Sequence, residues 1–185
     1  EMCIRDSPWI RLIDNTKISK FAISVISELQ KNKFQAYLVG GCVRDALAGI
    51  EPKDFDIATD ATPEQIRKIF KASRIIGRRF KLVHVFNRTE LLEVATFRSG
   101  NNETKDESKL IKDESGKILR DNVWGTLDQD CYRRDFTVNA LYYCPISKKI
   151  EDKNNVLFQK QSVQKYFPTF DPEEIPEIFS PIIPL

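Results

Sequence analysis

From Ile18 onward, apolar residues recur at Phe21, Ala22, Val25, Ile26 and Leu29, with Ser, Glu, Gln and Lys between them. This three-and-four spacing predicts an amphipathic helix with one face on a core. Ala36 to Val39 reads as a short buried strand, broken by Gly40 and Gly41 and followed by a short helix, Cys42 to Ala48, that Gly49 ends. Beyond Pro52, the segment Phe55 to Ala58 reads as a second strand, with Asp54 and Asp56 at alternate positions. Thr62, Pro63 and Gln65 carry a cap, a first-turn proline and a capping-box partner, which predicts a helix to about Lys71 with Ile66, Ile69 and Phe70 on its buried side. Leu82 to Phe86 and Leu91 to Phe97, parted by the polar turn Asn87, Arg88, Thr89, predict a hairpin.

Between Ser99 and Gly116 the chain is polar and charged, which predicts a mobile surface loop. Order is expected to resume near Ile118. Thr126 and Gln129 offer another capping box, and the helix they begin leads through Arg133 and Arg134 into a last apolar strand, Val138 to Tyr143. After Asp152 the pattern fails; prolines at 168, 172, 176, 181 and 184 preclude a long regular helix, and extended or disordered chain is expected there. Alternating helices and strands with a hairpin predict an α/β (α+β) fold, a small mixed sheet flanked by helices.

A chain of 185 residues, 41% hydrophobic and 30% charged, is long enough for one domain with a core. With a net charge of only +2, binding to nucleic acid has to rest on a local cluster of Lys and Arg. Cys3, Cys42, Cys131 and Cys144 are scattered, without a CxxC pair and with His84 as the only histidine, which argues against zinc. No apolar stretch approaches the roughly 20 residues of a membrane span. A soluble protein of the reducing cytoplasm is the expectation.

In Asp54-Phe55-Asp56 the pleat of a strand would put both carboxylates on one face, Cα atoms roughly 6–7 Å apart, with Phe55 turned to the core. Held close in a partly dehydrated cleft they would repel by about 4 kcal/mol at an effective dielectric of roughly 20, which a divalent cation offsets. Oxygen ligands favour Mg²⁺ or Mn²⁺ and the chemistry of phosphoryl transfer. The same tripeptide also occurs in solvated turns. Gly40-Gly41-Cys42-Val43-Arg44-Asp45 sets bare backbone N–H groups and a guanidinium between a strand and a helix, as a phosphate site would, or as a tight turn with a surface Arg–Asp pair. Arg133-Arg134-Asp135-Phe136-Thr137-Val138-Asn139-Ala140 packs two guanidiniums, a carboxylate, a hydroxyl and an amide at a helix-to-strand junction, suited to triphosphate and ribose or to a structural helix end.

Val39 to Asp45, Asp54 to Thr59, Glu93-Val94-Ala95-Thr96-Phe97-Arg98 and Arg133 to Ala140, in that order, resemble the successive head-domain motifs of the bacterial and eukaryotic type of tRNA nucleotidyltransferase and poly(A) polymerase. The resemblance covers about Phe34 to Tyr143. It implies a polymerase-beta-like nucleotidyltransferase head in which Asp54 and Asp56 are metal ligands and Asp135 completes the catalytic set. It further implies that Gly40, Gly41, Arg44, Arg133, Arg134 and Asn139 hold the nucleotide. Glu93 is a weaker candidate for a third carboxylate and equally suits a structural anion. Ile75 to Val85 and Leu119 to Thr126 resemble the poly(A) polymerase branch more than the CCA-adding branch, which implies transfer of AMP from ATP to an RNA 3′ end. Addition of CCA to tRNA is the alternative within the class, and a non-catalytic nucleotide- or RNA-binding module the alternative outside it. His84, mid-strand, reads as a packed core residue. Arg74, Arg78, Arg79 and Lys81 suit RNA phosphates or a solvated edge equally.

The expected organisation is an N-terminal extension at 1–14, non-native at its extreme end, the head at 15–150 and a proline-rich tail at 151–185. Family members continue into a neck that reads the base and into domains that hold RNA, and neither is recognisable here. The chain is expected to be C-terminally truncated, with feeble activity by itself.

Overall fold

The computed structural model describes residues 13–47, 49–77, 80–99, 110–112, 118–121, 123–134 and 139–154. A short 3₁₀ turn, Asn15–Lys17, leads into α1 (Lys20–Lys31), β1 (Ala36–Val39), α2 (Gly41–Leu47), β2 (Asp56–Thr59) and α3 (Pro63–Ile69). Then come β3 (Ser73–Ile76), β4 (Leu82–Phe86), β5 (Leu91–Thr96), β6 (Leu110–Lys112), β7 (Ile118–Asp121), α4 (Leu127–Tyr132), β8 (Tyr142–Cys144) and β9 (Lys149–Glu151). Seven strands form one sheet in the order β3-β4-β5-β2-β1-β8-β9, while β6 and β7 pair separately. The pairing of β2 with β5 is parallel and the others in the large sheet are antiparallel, so the expected mixed sheet is what forms.

Local chemistry sets the helix starts. Ser19 caps α1 by accepting from the N–H groups of Phe21 and Ala22, and both expected capping boxes, Thr62 with Gln65 and Thr126 with Gln129, are formed. Ala22, Val25, Ile26 and Leu29 of α1 are buried, as the periodicity requires. α3 stops at Ile69, short of Lys71, because Phe70 turns extended (φ −106°, ψ 105°) and packs on the core beside Ile69.

Strand alternation divides the sheet into two faces. Leu38, Ile57, Val83, Val85, Leu92, Val94 and Tyr143 face α1, α2 and α3 in the main core. Their neighbours Val39, Ala58 and Tyr142 face the other way and meet Cys131 and Leu127 of α4 in a smaller core with Phe97. Along β4 and β5 this second face is more open, with Phe86 and Leu91 40% and 55% exposed.

Several expectations give way to tertiary contacts. Asp54 precedes β2 instead of lying in it, so only Asp56 is placed by the pleat; Phe55 does pack toward the main core. The strand expected from Val138 begins at Tyr142, since pairing with β1 starts only at Tyr142 and Tyr143. Four strands, β3, β6, β7 and β9, were not anticipated: β3 is recruited by antiparallel pairing with β4, β9 by pairing with β8, and β6, which falls within the expected loop, pairs with β7. The remainder of that loop, Arg78, Arg79, Asp135 and the chain beyond 154 lie outside the described residues.

Candidate active site

The site grows from one row across the sheet. Val39 pairs in register with Asp56, Asp56 with Glu93, Glu93 with His84 and His84 with Arg74, so all five side chains share the second face. Asp56 is solvent-accessible, yet the protein packed around its carboxyl raises its pKa above the ordinary 3.8, and Glu93 and Asp54 raise it further while Arg134 pulls it down. Glu93 and Asp54 thus both act on Asp56 at the head of β2.

Glycine keeps the ground beside them clear. Gly40 adopts φ +79°, and a Cβ there would lie 4.0 Å from Oδ2 of Asp56; a Cβ on Gly41 would lie 3.5 Å from a terminal nitrogen of Arg44. Arg44 donates through Nε to Asp45 at 2.8 Å and through a terminal nitrogen to Oδ1 of Asn139 at 3.3 Å, across 95 residues of sequence. Arg134 in turn donates to the backbone oxygen of Asn139 at 3.5 Å, and its charge reaches Asp56. Asp56, Gly40, Gly41, Arg44, Asn139 and Arg134 therefore close a circuit in which carboxylate and guanidinium groups face a patch of bare backbone.

One residue that sequence reading passed over holds this circuit together. Asp130 is 1% exposed and takes Arg133 Nε at 2.9 Å, Arg134 at 3.1 Å, the Tyr142 hydroxyl at 2.7 Å and the Arg98 backbone N–H at 3.0 Å. Burial works to raise its pKa, but Arg134, Arg133 and these hydrogen bonds outweigh it and hold the carboxyl below 3.8. Arg134 also lies over the Tyr142 ring, 5.4 Å from its centroid. The sequence signal available was spacing: Asp130, in the last turn of α4, stands three and four residues before the arginines that follow the helix.

Of the sequence-predicted residues, Asp54, Asp56, Gly40, Gly41, Arg44, Arg134 and Asn139 come together. Arg133 is drawn to Asp130, and Asp135 is outside the described residues. His84 departs from expectation: its side chain is 24% exposed and its Nε2 lies 3.3 Å from Oε1 of Glu93. Lys81 is paired with Glu64 at 3.2 Å. Cys42 and Cys131 are buried with thiols pushed up to about 11 by burial, which keeps them unreactive. A cavity of about 420 Å³ lies at the other ends of the same strands, between Tyr37, Asp60, Phe97, Thr126 and Glu151. It contains none of the circuit, and we place the site at the carboxylates because the convergent charge is there.

The mixed sheet and its helices are those of a nucleotidyltransferase head. The Bacillus stearothermophilus CCA-adding enzyme, solved in complex with CTP, superposes with a TM-score of 0.55 at 30% identity, over 80% of this chain and 31% of that one. The family described as the Poly A polymerase head domain matches residues 36–157, and the chain belongs to that family. Poly(A) polymerase I of Haemophilus influenzae is 50% identical over 135 residues, 72% of this chain and 30% of that protein. Poly(A) polymerase I of Salmonella typhi is 46% identical over 142 residues, 76% of this chain and 30% of that protein. The Geobacillus kaustophilus CCA-adding enzyme is 36% identical over 120 residues, 65% of this chain and 28% of that protein. The chain spans about 30% of the length of the poly(A) polymerases it matches.

Proposed function

We propose that this chain is the head of a polynucleotide adenylyltransferase, which adds AMP from ATP to RNA 3′ ends. The observation that carries the reading is the closed circuit of Asp56, Gly40, Gly41, Arg44, Asn139 and Arg134, with Asp54 and Glu93 beside it. Higher identity to poly(A) polymerase I than to a CCA-adding enzyme favours adenylate over CCA addition.

The donor set fits Mg²⁺ or Mn²⁺. Oxygen ligands from Asp54 and Asp56 suit a hard divalent ion, and the Asp56 carboxyl, whose pKa is raised first by burial and then by Glu93, is an anion that a bound cation would favour. When bound there, such an ion would neutralise phosphate charge and favour attack of the RNA 3′ hydroxyl on the α-phosphorus with pyrophosphate as leaving group. Gly40 and Gly41 let phosphate oxygens approach the backbone, while Arg44 and Arg134 offer the charged donors that orient a triphosphate. Asn139, fixed between the two arginines, offers its amide to the nucleotide. Asp130 holds Arg134 in place without touching substrate, and Asp135 is assigned to the catalytic set through the family motif. RNA binding and a cytoplasmic setting follow from the same reading; no helix of the described residues is long and apolar enough to cross a membrane.

Calorimetric titration of the chain with ATP and Mg²⁺, beside Asp54→Ala/Asp56→Ala, tests the site. Metal-dependent ATP binding that vanishes in the double variant is the expected result. Undiminished binding in that variant would instead favour a non-catalytic nucleotide-binding module. Extension of an RNA oligonucleotide with labelled ATP but not CTP separates adenylate addition from CCA addition.

A further inference from the structure

We infer that Tyr142 is a positioning residue for the nucleotide: its hydroxyl fixes the plane of the Arg134 guanidinium and leaves the outer end of that group for phosphate. The inference rests on reading Arg134 as a donor to the triphosphate.

Register places the tyrosine. Tyr142 of β8 pairs with Val39 of β1, and Val39 pairs with Asp56 of β2, so the carboxylate row runs on to Tyr142 across the same face of the sheet. Two strand spacings put the Cα atoms of Tyr142 and Asp56 roughly 10 Å apart. Val39 also leads directly into Gly40 and Gly41. Arg134, whose Cζ lies 5.4 Å from the centroid of the Tyr142 ring, is therefore held on the face that carries Asp56, and its charge acts on that carboxyl.

The contacts then fix the guanidinium. Oδ2 of Asp130 accepts from one terminal nitrogen of Arg134 at 3.1 Å, and a single bond of this kind is a pivot. The Tyr142 hydroxyl accepts from Nε at 3.0 Å while donating to the same Asp130 oxygen at 2.7 Å, which gives the guanidinium a second point of attachment. The other terminal nitrogen reaches the Asn139 backbone oxygen at 3.5 Å. Three of the five N–H groups are thus used, and one on each terminal nitrogen is left without a partner among the described residues. Those two form the fork that matches a pair of phosphate oxygens.

The ring is constrained as well. Tyr142 is fully buried and meets Tyr37 and Phe97 edge to face, each centroid 6.2 Å away, so its hydroxyl is held in one place. Packing accounts for the ring but not for the hydroxyl. Phenylalanine would fill the same space and leave Nε of Arg134 without an acceptor. A guanidinium oriented before the ligand arrives spares the binding step the cost of ordering it.

The test is calorimetric titration of the chain with ATP in Mg²⁺ buffer, with thermal melts to confirm that each variant is folded. Arg134→Met should weaken ATP binding. Tyr142→Phe should weaken it by about 3- to 10-fold, as the fraction of Arg134 in the competent orientation falls to roughly a third to a tenth. Tyr142→Phe added to Arg134→Met should cost no further affinity, because the hydroxyl acts only through the guanidinium; a merely structural tyrosine would add its own loss. A measurement on the wild type alone needs no variant to fold: by nitrogen-15 NMR the Arg134 Nε–H should be protected from exchange before ATP is added and stay so afterwards. Undiminished affinity in Tyr142→Phe, a further loss in the double variant, or protection that appears only with ATP would each overturn the inference. Unchanged ATP binding in Arg134→Met, or none by the wild type, would overturn the reading of Arg134 itself, and the inference with it.

Discussion

Two acidic centres share the second face of the sheet, and their electrostatics run in opposite directions. Asp130 is sealed from water but surrounded by donors from Arg133, Arg134, Tyr142 and the Arg98 backbone, so its carboxyl is held below the ordinary range. Asp56 is reached by solvent, yet packing and its acidic neighbours Glu93 and Asp54 push its carboxyl above that range. Arg134 serves both, bonded to the first and exerting its field on the second. A charge satisfied from within acts as scaffold; a charge opposed from within is what the proposed binding of a cation would relieve.

The largest expected effect breaks the scaffold side. Asp130→Ala leaves two guanidiniums and a tyrosine hydroxyl without their shared acceptor and should cost about 3–5 kcal/mol in chemical denaturation. ATP binding should fall with it, since Arg134 loses its anchor. A loss under about 1 kcal/mol would show that Asp130 is not the keystone its contacts indicate.

Next comes the ligand side. Mg²⁺ or Mn²⁺ at about 100 times its dissociation constant should stabilise the wild type by roughly 2.7 kcal/mol, raising the thermal midpoint, and should leave Asp54→Ala/Asp56→Ala unmoved. Equal shifts in both proteins would place the ion elsewhere.

A smaller effect probes how α4 presents Asp130. Thr126→Ala removes the side-chain half of the capping box and should cost about 1 kcal/mol, read as a lower denaturation midpoint.

The smallest effect is one of sign with pH. In metal-free buffer Asp56→Asn should stabilise the protein modestly, because ionising a carboxyl whose folded pKa is raised opposes folding. That gain should be absent below the ordinary value of 3.8, grow as pH rises through the raised folded value, and then level off. Asp130 runs the other way: its stabilisation is present above 3.8 and is lost as pH falls through its lowered folded value, so Asp130→Asn should be most harmful near neutrality. Parallel pH profiles for the two asparagine variants would erase the distinction between the centres.

Much of this protein was legible in local pattern. The buried stripe of α1, the strand Ala36–Val39, both capping boxes and the hairpin of β4 and β5 depend on residues a few positions apart, where periodicity and side-chain hydrogen bonding act directly. The ordered motifs likewise carry the resemblance to the family and contain every residue of the circuit. Sequence by itself determined which groups were available: two aspartates around Phe55, paired glycines and a run of arginines.

Only the tertiary structure decided which of those groups meet. Asn139 reaches Arg44 because β8 pairs with β1, whose end leads into α2, and Glu93 reaches Asp56 because β5 pairs in parallel with β2. His84 leaves the core because its neighbours Val83 and Val85 occupy the buried face, and Asp130 becomes a hub because α4 lies against Tyr142 and Phe97. Side-chain chemistry is written residue by residue, whereas the distance between two charges, on which their interaction depends, is set by strand register and layer packing across the whole domain.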